Sequence, residues 1–413
     1  MTDTPPAPTH PFTPRAATST TFLVNGLVLA TWVLHIPDVR DRLHLSDAQV
    51  GTAILFIAVG SMFSMPLSGP WIARHGSAAV TRLFGLLFCL SLPLPFLAPS
   101  LPLLCLALAA VGLTNGAMDV AMNAQGVAVE RQMDRPVLSS FHAWFSFGNL
   151  GGALLGSVLL AAHVGTWTHV LAVLAVSLAL LLASGPHLLP RSWDRHDPAP
   201  TGGPSTLRQR LHLSPAVLTL GLLCFLGMLG EGATGDWGGL YFRDVLQVGG
   251  GLAGAGYTAF TLAMTLARIF GDRWRSRHGE TTLMLGGSLV SGAGVLLAIL
   301  APSLPGASGG AGPWVAVTGY ALTGFGVANL VPVLYGSAGR ALNAQGLAQV
   351  ATLGYLGFLA GPPLIGYVAH FLGLRAGLGV IALSLLLVAA LAPTVFTRLR
   401  APRAEARPDP AAP

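Results

Sequence analysis

Twelve apolar runs, each long enough to cross a bilayer, take up most of this chain of 413 residues. Crossing the hydrocarbon core takes roughly 20 mostly apolar residues in a helix, and in lipid only helices and closed barrels satisfy every backbone N–H and C=O. Runs of this kind, bounded by charge, Pro or Gly, fall at approximately 20–37, 47–72, 79–98, 101–128, 138–163 and 166–186, and then at 215–241, 250–270, 281–301, 313–338, 346–371 and 375–396. They are spans 1 to 12. The longest polar stretch, His187 to His212, separates the two sets of six and holds Arg191, Arg195, Arg208 and Arg210 among Pro and Gly. The expected fold is all-α and integral to the membrane, with twelve transmembrane helices in two pseudo-symmetric six-helix bundles. The parts are a disordered cytoplasmic tail (1–19), a first bundle (20–186), a cytoplasmic linker (187–214), a second bundle (215–397) and a disordered cytoplasmic tail (398–413).

Charge supports this reading. Only 9% of residues are charged, against about 25% in soluble domains, too few to coat a water-soluble fold of this length. All 22 basic residues are Arg, and they sit in short loops and tails with no aromatic-interleaved face, which argues against nucleic-acid binding. With the N-terminus in the cytoplasm, 17 arginines lie inside, Arg40, Arg42, Arg243 and Arg375 lie outside, and Arg268 sits at a helix end. The bias predicts that both termini are cytoplasmic, in a bacterial inner membrane. Cys89, Cys105 and Cys224 lie within apolar runs without metal-ligand spacing and read as buried thiols.

The chain repeats itself. W-I-A-R-H-G after span 2 (Trp71, Arg74, His75, Gly76) returns after span 8 as W-R-S-R-H-G (Trp274, Arg277, His278, Gly279), an offset of 203 residues. An offset of 210 carries Gly151 and Gly156 onto Gly361 and Gly366, and Asp119 onto Asn329. Matches in corresponding spans point to two copies of one ancestral unit.

With these features the chain resembles the major facilitator superfamily. The superfamily's loop signature G-x-x-x-D-R-x-G-R-R is present in part, as Gly69, Arg74 and Gly76 with Ala73 in place of the Asp, and the second copy G-D-R-W-R-S-R-H-G keeps Asp272, Arg273 and Arg277. The resemblance assigns gating or conformational roles to Arg74, Gly76, Asp272, Arg277 and Gly279. Three stretches are similar to the fucose-permease-like branch, especially its YbjJ-like members: M-D-V-A-M-N-A-Q-G in span 4, S-S-F-H-A-W-F-S-F-G-N-L-G-G in span 5 and E-G-A-T-G-D-W-G-G-L-Y-F in span 7. In that permease a span 4 acid four residues before an Asn is tied to proton coupling, and Asp119 with Asn123 matches it; the permease's span 1 acid falls near Val33 here, where no carboxylate exists.

Three acids lie well inside the predicted spans: Asp119, Glu231 and Asp236. A carboxylate in hydrocarbon costs a few kcal/mol, so it persists facing a cavity, paired, or protonated. Asn115, Asp119 and Asn123 recur every four residues and form one polar stripe on span 4, expected to line the central cavity; the structural alternative is bonding between neighbouring helices. Glu231, between Gly230 and Gly232, is the second candidate for binding a proton or substrate. Asp236, beside Trp237, is a candidate for substrate binding or for fastening an outer gate. Trp32 and Trp144 are the aromatic candidates for stacking on a sugar-like ring, with Tyr241 and Tyr320 also available, and packing is the alternative for all of them. His142 and His35 read as hydrogen-bonded residues near span ends, although a histidine can also shuttle protons.

No nucleotide-binding loop, metal-ligand motif or nucleophile motif occurs, so no cofactor, metal or catalytic residue is expected. The expected function is secondary active transport by alternating access, as proton-coupled uptake of a sugar-like or other small polar solute. The expected partners are that small-molecule substrate, protons and the lipid bilayer, with no nucleic acid, for a monomer. Proton-coupled efflux of amphipathic compounds is the alternative; the Gly/Pro motif of such exporters belongs in span 5, whereas G-P-P here lies in span 11. A non-transporting membrane receptor is a third reading, which a sizeable soluble domain would favour.

Overall fold

The computed structural model describes residues 13–45, 47–162, 165–194, 213–248, 255–305, 310–342 and 344–400, and the described residues form helices without strands. In chain order the long helices of the first half are α1 (Pro14–Leu34), α2 (Asp47–His75), α3 (Ser77–Ser91), α4 (Leu101–Met133), α5 (Leu138–Ala161) and α6 (Thr166–Ser184). Those of the second half are α7 (Pro215–Leu240), α8 (255–278), α9 (280–300), α10 (Ala311–Val327 and Leu330–Ala341), α11 (Ala344–Leu372) and α12 (Leu374–Arg400). Ten helical segments are long and apolar enough to span a membrane; one of them, Ala255–Ser303, is bent at Gly279 into two helices, and Leu138–Ala161 completes the twelve.

The first helix departs from the sequence expectation. It begins at Pro14, where Thr13 Oγ1 accepts from the Ala16 N–H, and so it includes residues expected to be a tail. Thr18, Ser19, Thr20 and Thr21 look polar but are buried. Thr18, Thr20 and Thr21 donate to the helix's own carbonyls, at Pro14, Ala16 and Thr18, which removes the cost of burying a hydroxyl. α12 likewise runs on to Arg400. The rest of the expected tails (1–12 and 401–413) and much of the expected linker (195–212) lie outside the described residues.

The repeat is visible in the packing. α1 lies on α5 and α7 on α11, while α2 lies on α4 and α8 on α10, the same pairs in each half. Glycines set these crossings. A Cβ on Gly26 or Gly148 would collide with the Phe145 or Leu23 carbonyl, and one on Gly357 with that of Phe225. On α2 and α4, Gly60 and Gly112 meet the Ala109 and Ile57 carbonyls in the same way, and Ser61 donates to Gly112 O at 2.9 Å. Gly112→Val therefore forces two backbones apart. Overpacking of this kind costs about 1–3 kcal/mol or more, and the variant is expected to lose several degrees of thermal midpoint in detergent while Gly151→Val, where a Cβ would meet nothing, does not.

The two W-x-x-R-H-G turns match in backbone as well. Gly76 and Gly279 take φ +87° and +79°, where a side chain is strained. At the first turn Asp194, after the short helix Arg191–Trp193, accepts from Ser77 N at 2.8 Å and from the Ser77 hydroxyl at the start of α3. Arg191 donates to the Ala73 carbonyl at 2.7 Å.

The halves meet chiefly through α2 with α11 and α5 with α8. Their close points lie toward the side on which the chain termini lie, for example where Gly69 near the end of α2 touches Gln345 at the start of α11.

A candidate transport site between the two halves

Asp119 stands midway along α4, half-buried. One turn on, Asn123 donates its Nδ2 to Asp119 O at 2.9 Å and to Oδ1 at 3.3 Å. The Asn123 oxygen can then only accept, and it does so from His142 Nε2 on α5 at 3.1 Å. His142 is buried, its ring edge-on to Phe22 of α1 and to Tyr335 of α10. From the other half, Tyr355 on α11 lies near the Asp119 carboxylate. Tyr335 is 1% exposed, lies near Asp119 and Glu231, and its hydroxyl finds no partner among the described residues.

Glu231 and Arg268 form the second part of the cluster. Arg268 Nη2 donates to Glu231 Oε1 at 3.1 Å, Nη1 to Ser146 Oγ of α5 at 3.0 Å, and Nε to Ala328 O at 3.1 Å. Ala328 and Asn329 are the break in α10, where the helical ladder leaves carbonyls free. Arg268 thus ties together α7, the broken helix and the opposite half. The sequence reading placed it at a helix end. α8 in fact continues to residue 278, which puts Arg268 within the helix, 5% exposed, and its charge is met by the Glu231 carboxylate. The available signal was a lone Arg in an apolar run, together with the turn motif that fixes where the helix stops.

Other expected site residues lie apart. Asn115, 5% exposed, accepts at Oδ1 from Asn25 Nδ2 of α1 at 2.8 Å, so of the stripe only Asp119 is partly open. Trp32 is buried against Phe96 in the outer part of the first half. Trp144 is exposed beside Phe147, and the spacing of two residues turns it away from the face that carries His142. Asp236 is exposed, more than a turn beyond Glu231, with no ion pair among the described residues. Gly230 and Gly232 pack against Leu385 and Phe358 within an unbroken α7. His35 is buried between Asp38 at 2.6 Å and His169 at 2.8 Å. Tyr241 donates to Ala298 O at 2.7 Å, and Tyr320 packs on Phe242.

About three turns of α4 from Asp119, toward the termini, an ion-pair layer closes the space between the halves. Arg275 grips Glu130 with two parallel bonds of 2.9 Å and also reaches Glu280 at 2.7 Å; Arg340 bonds to both carboxylates. Glu130 belongs to the first half and the other three to the second. Beside them the N-terminus of α5 has all its free donors taken. Val137 and Leu138 N–H donate to Glu130, and Ser139 and Ser140 N–H donate to Asp272 of the other half at 2.8 and 2.7 Å. Arg74 and Arg277 are exposed at their turns, outside this layer. The sequence reading missed Glu130, Arg275, Glu280 and Arg340. One signal existed, because Glu130 and Arg340 are 210 residues apart, the repeat offset, so opposite charges stand at equivalent positions. A pseudo-twofold axis brings equivalent positions together only close to the axis itself.

Taken as a whole, the cluster is a polar site at mid-depth, sealed toward the termini, with Asp119 still partly accessible. Residues 17–255 match the Major Facilitator Superfamily. An uncharacterised MFS-type transporter of Yersinia pestis is 37% identical over 386 residues, covering 92% of this chain and 95% of its own. The E. coli fucose:proton symporter superposes with a TM-score of 0.71 at 14% identity, over 92% of this chain and 98% of its own. The human organic anion transporter MFSD10 does so with 0.71 at 18%, over 94% and 100%. The two structural likenesses speak to fold alone. With a family match over more than half of its length, a relative's over nearly all of it, and twelve spans in two halves, the chain belongs to the Major Facilitator Superfamily and is a multi-pass membrane transporter of that family.

Proposed function

We propose that the protein takes up a sugar-like or other small polar solute together with protons, by alternating access, in the inner membrane of a bacterium with both termini cytoplasmic. The observation that carries the reading is Asp119, a half-buried acid at mid-depth, backed by Asn123 and His142, faced by Tyr355 of the opposite half, and set above a sealed ion-pair layer. Taking a carboxylate out of water favours its neutral form, so the relative stability of two conformations that hydrate Asp119 differently depends on its proton. Asp119 is assigned the proton. Glu231 and Arg268 are assigned the solute, because their charges already cancel and their remaining acceptors and donors suit neighbouring hydroxyls. Sugar-like cargo follows by analogy from the three stretches similar to the fucose-permease-like branch. With the arginine-rich side in the cytoplasm, the ion-pair layer closes the site toward the cytoplasm in this conformation.

The test is pH-gradient-driven flux in proteoliposomes over a panel of neutral, acidic and basic solutes. Glu231→Gln and Arg268→Gln are expected to raise the half-saturation concentration by roughly tenfold, the loss of a charge-assisted bond worth about 1.5–3 kcal/mol, while the flux that remains still follows the gradient. Unchanged half-saturation in both variants would remove the pair from the solute site.

A further inference from the structure

A crevice of about 230 Å³ opens on the flank of the first half, away from Asp119, between the starts of α1 and α3 and the end of α6. Arg82, one turn into α3, stands at its edge, exposed. Arg82 Nε donates to Ala78 O at 3.3 Å, and no carboxylate pairs with the guanidinium among the described residues. Its stem lies on Gly185, where an added Cβ would sit 3.1 Å from both Cγ and Cδ, so the glycine makes room for it. Thr81 lines the same crevice, wholly buried, and its hydroxyl has no partner among the described residues. Thr114, Ser184 and Thr234 bond back to their own carbonyls, whereas the buried hydroxyls of Thr81, Ser177 and Ser288 have no partner among the described residues. The remaining wall is apolar, from Leu86, Leu181 and Leu182, and Leu182 is 63% exposed.

We propose that this crevice holds one anionic phospholipid from the leaflet on the side of the termini. The guanidinium of Arg82 takes phosphate oxygens by charge-assisted bonds, and an acyl chain lies along Leu86, Leu181 and Leu182. A soluble anion would satisfy the Arg but leave the leucine wall uncovered, whereas a lipid supplies both a headgroup and a chain. Basic clefts between transmembrane helices suit anionic headgroups for the same reason.

Native mass spectrometry of the full chain, titrated with phosphatidylglycerol or phosphatidylcholine, tests this. Phosphatidylglycerol is expected to occupy a first site more tightly than phosphatidylcholine, and Arg82→Gln to weaken that site roughly fivefold, the loss of about one basic contact. Leu86→Trp fills the crevice without touching a charge and is expected to lose the first bound lipid, which keeps the test decisive should the Arg82 variant fail to fold. Equal binding of the two lipids, an undiminished preference in Arg82→Gln, or the same thermal stabilisation from inorganic phosphate as from phosphatidylglycerol would each overturn the proposal.

Discussion

Asp119→Asn yields a protein that still exchanges solute across the membrane but no longer accumulates it when a proton gradient is applied. Asn keeps the size of the side chain, and its oxygen can still accept from Asn123, so the polar cluster keeps its shape and loses only the ability to bind a proton. One pH unit is worth 1.36 kcal/mol per proton. A carrier moving one proton with each solute therefore sustains about a tenfold accumulation per unit of gradient, and the variant sustains none. Counterflow with labelled solute and no gradient is expected to stay within a few-fold of wild type. Gradient-driven accumulation at the wild-type ratio in Asp119→Asn would remove this residue from the coupling step.

Glu130→Gln moves the protein away from the conformation closed toward the termini. The glutamine keeps the size of the side chain but removes the carboxylate that Arg275 and Arg340 share, leaving both beside Glu280. Removing one partner of a buried ion pair costs about 3–5 kcal/mol. Arg340 is 31% exposed, and water there places the expectation at the lower end. About 3 kcal/mol changes the ratio of two conformations roughly 150-fold. Because Glu130 also accepts from Val137 and Leu138 N–H, the loss reaches the start of α5, on which Asp272 of the other half depends. Spin labels at the exposed positions Gln132 and His278, in a background without the three buried cysteines, are expected to show a new, longer distance in the variant. A distance distribution identical to that of the parent would show that the ion-pair layer does not hold the halves together.

Elements read from the sequence and elements decided by packing divide along a physical line. The spans were legible because hydrocarbon imposes a length and an apolar composition that survive any change of neighbours, and the repeat was legible because duplicated turns such as Gly76 and Gly279 need the same backbone conformation. Asp119, Asn123 and Glu231 stood out because a carboxylate or an amide stripe in an apolar run needs a reason to be there. Their company did not stand out. That Asn123 turns toward His142, that Asn115 is taken by Asn25, and that Trp32 is enclosed against Phe96 depend on how the helices are rotated and tilted, which span counting does not contain.

The start of α1 shows the same limit at the level of a single helix, since its Thr residues look like a solvated tail until their hydroxyls are seen bonded to their own backbone. The pairing of charges is the clearest case. Arg268 with Glu231, and Glu130 with Arg275 and Arg340, join residues from different helices and in part from different halves. The sequence by itself determined that the chain crosses a membrane twelve times in two related halves, because lipid is a solvent that acts on each segment separately. Only the tertiary structure decided which of its few ionisable groups meet, because electrostatic pairing acts across space, between helices whose order along the chain says little about their distance.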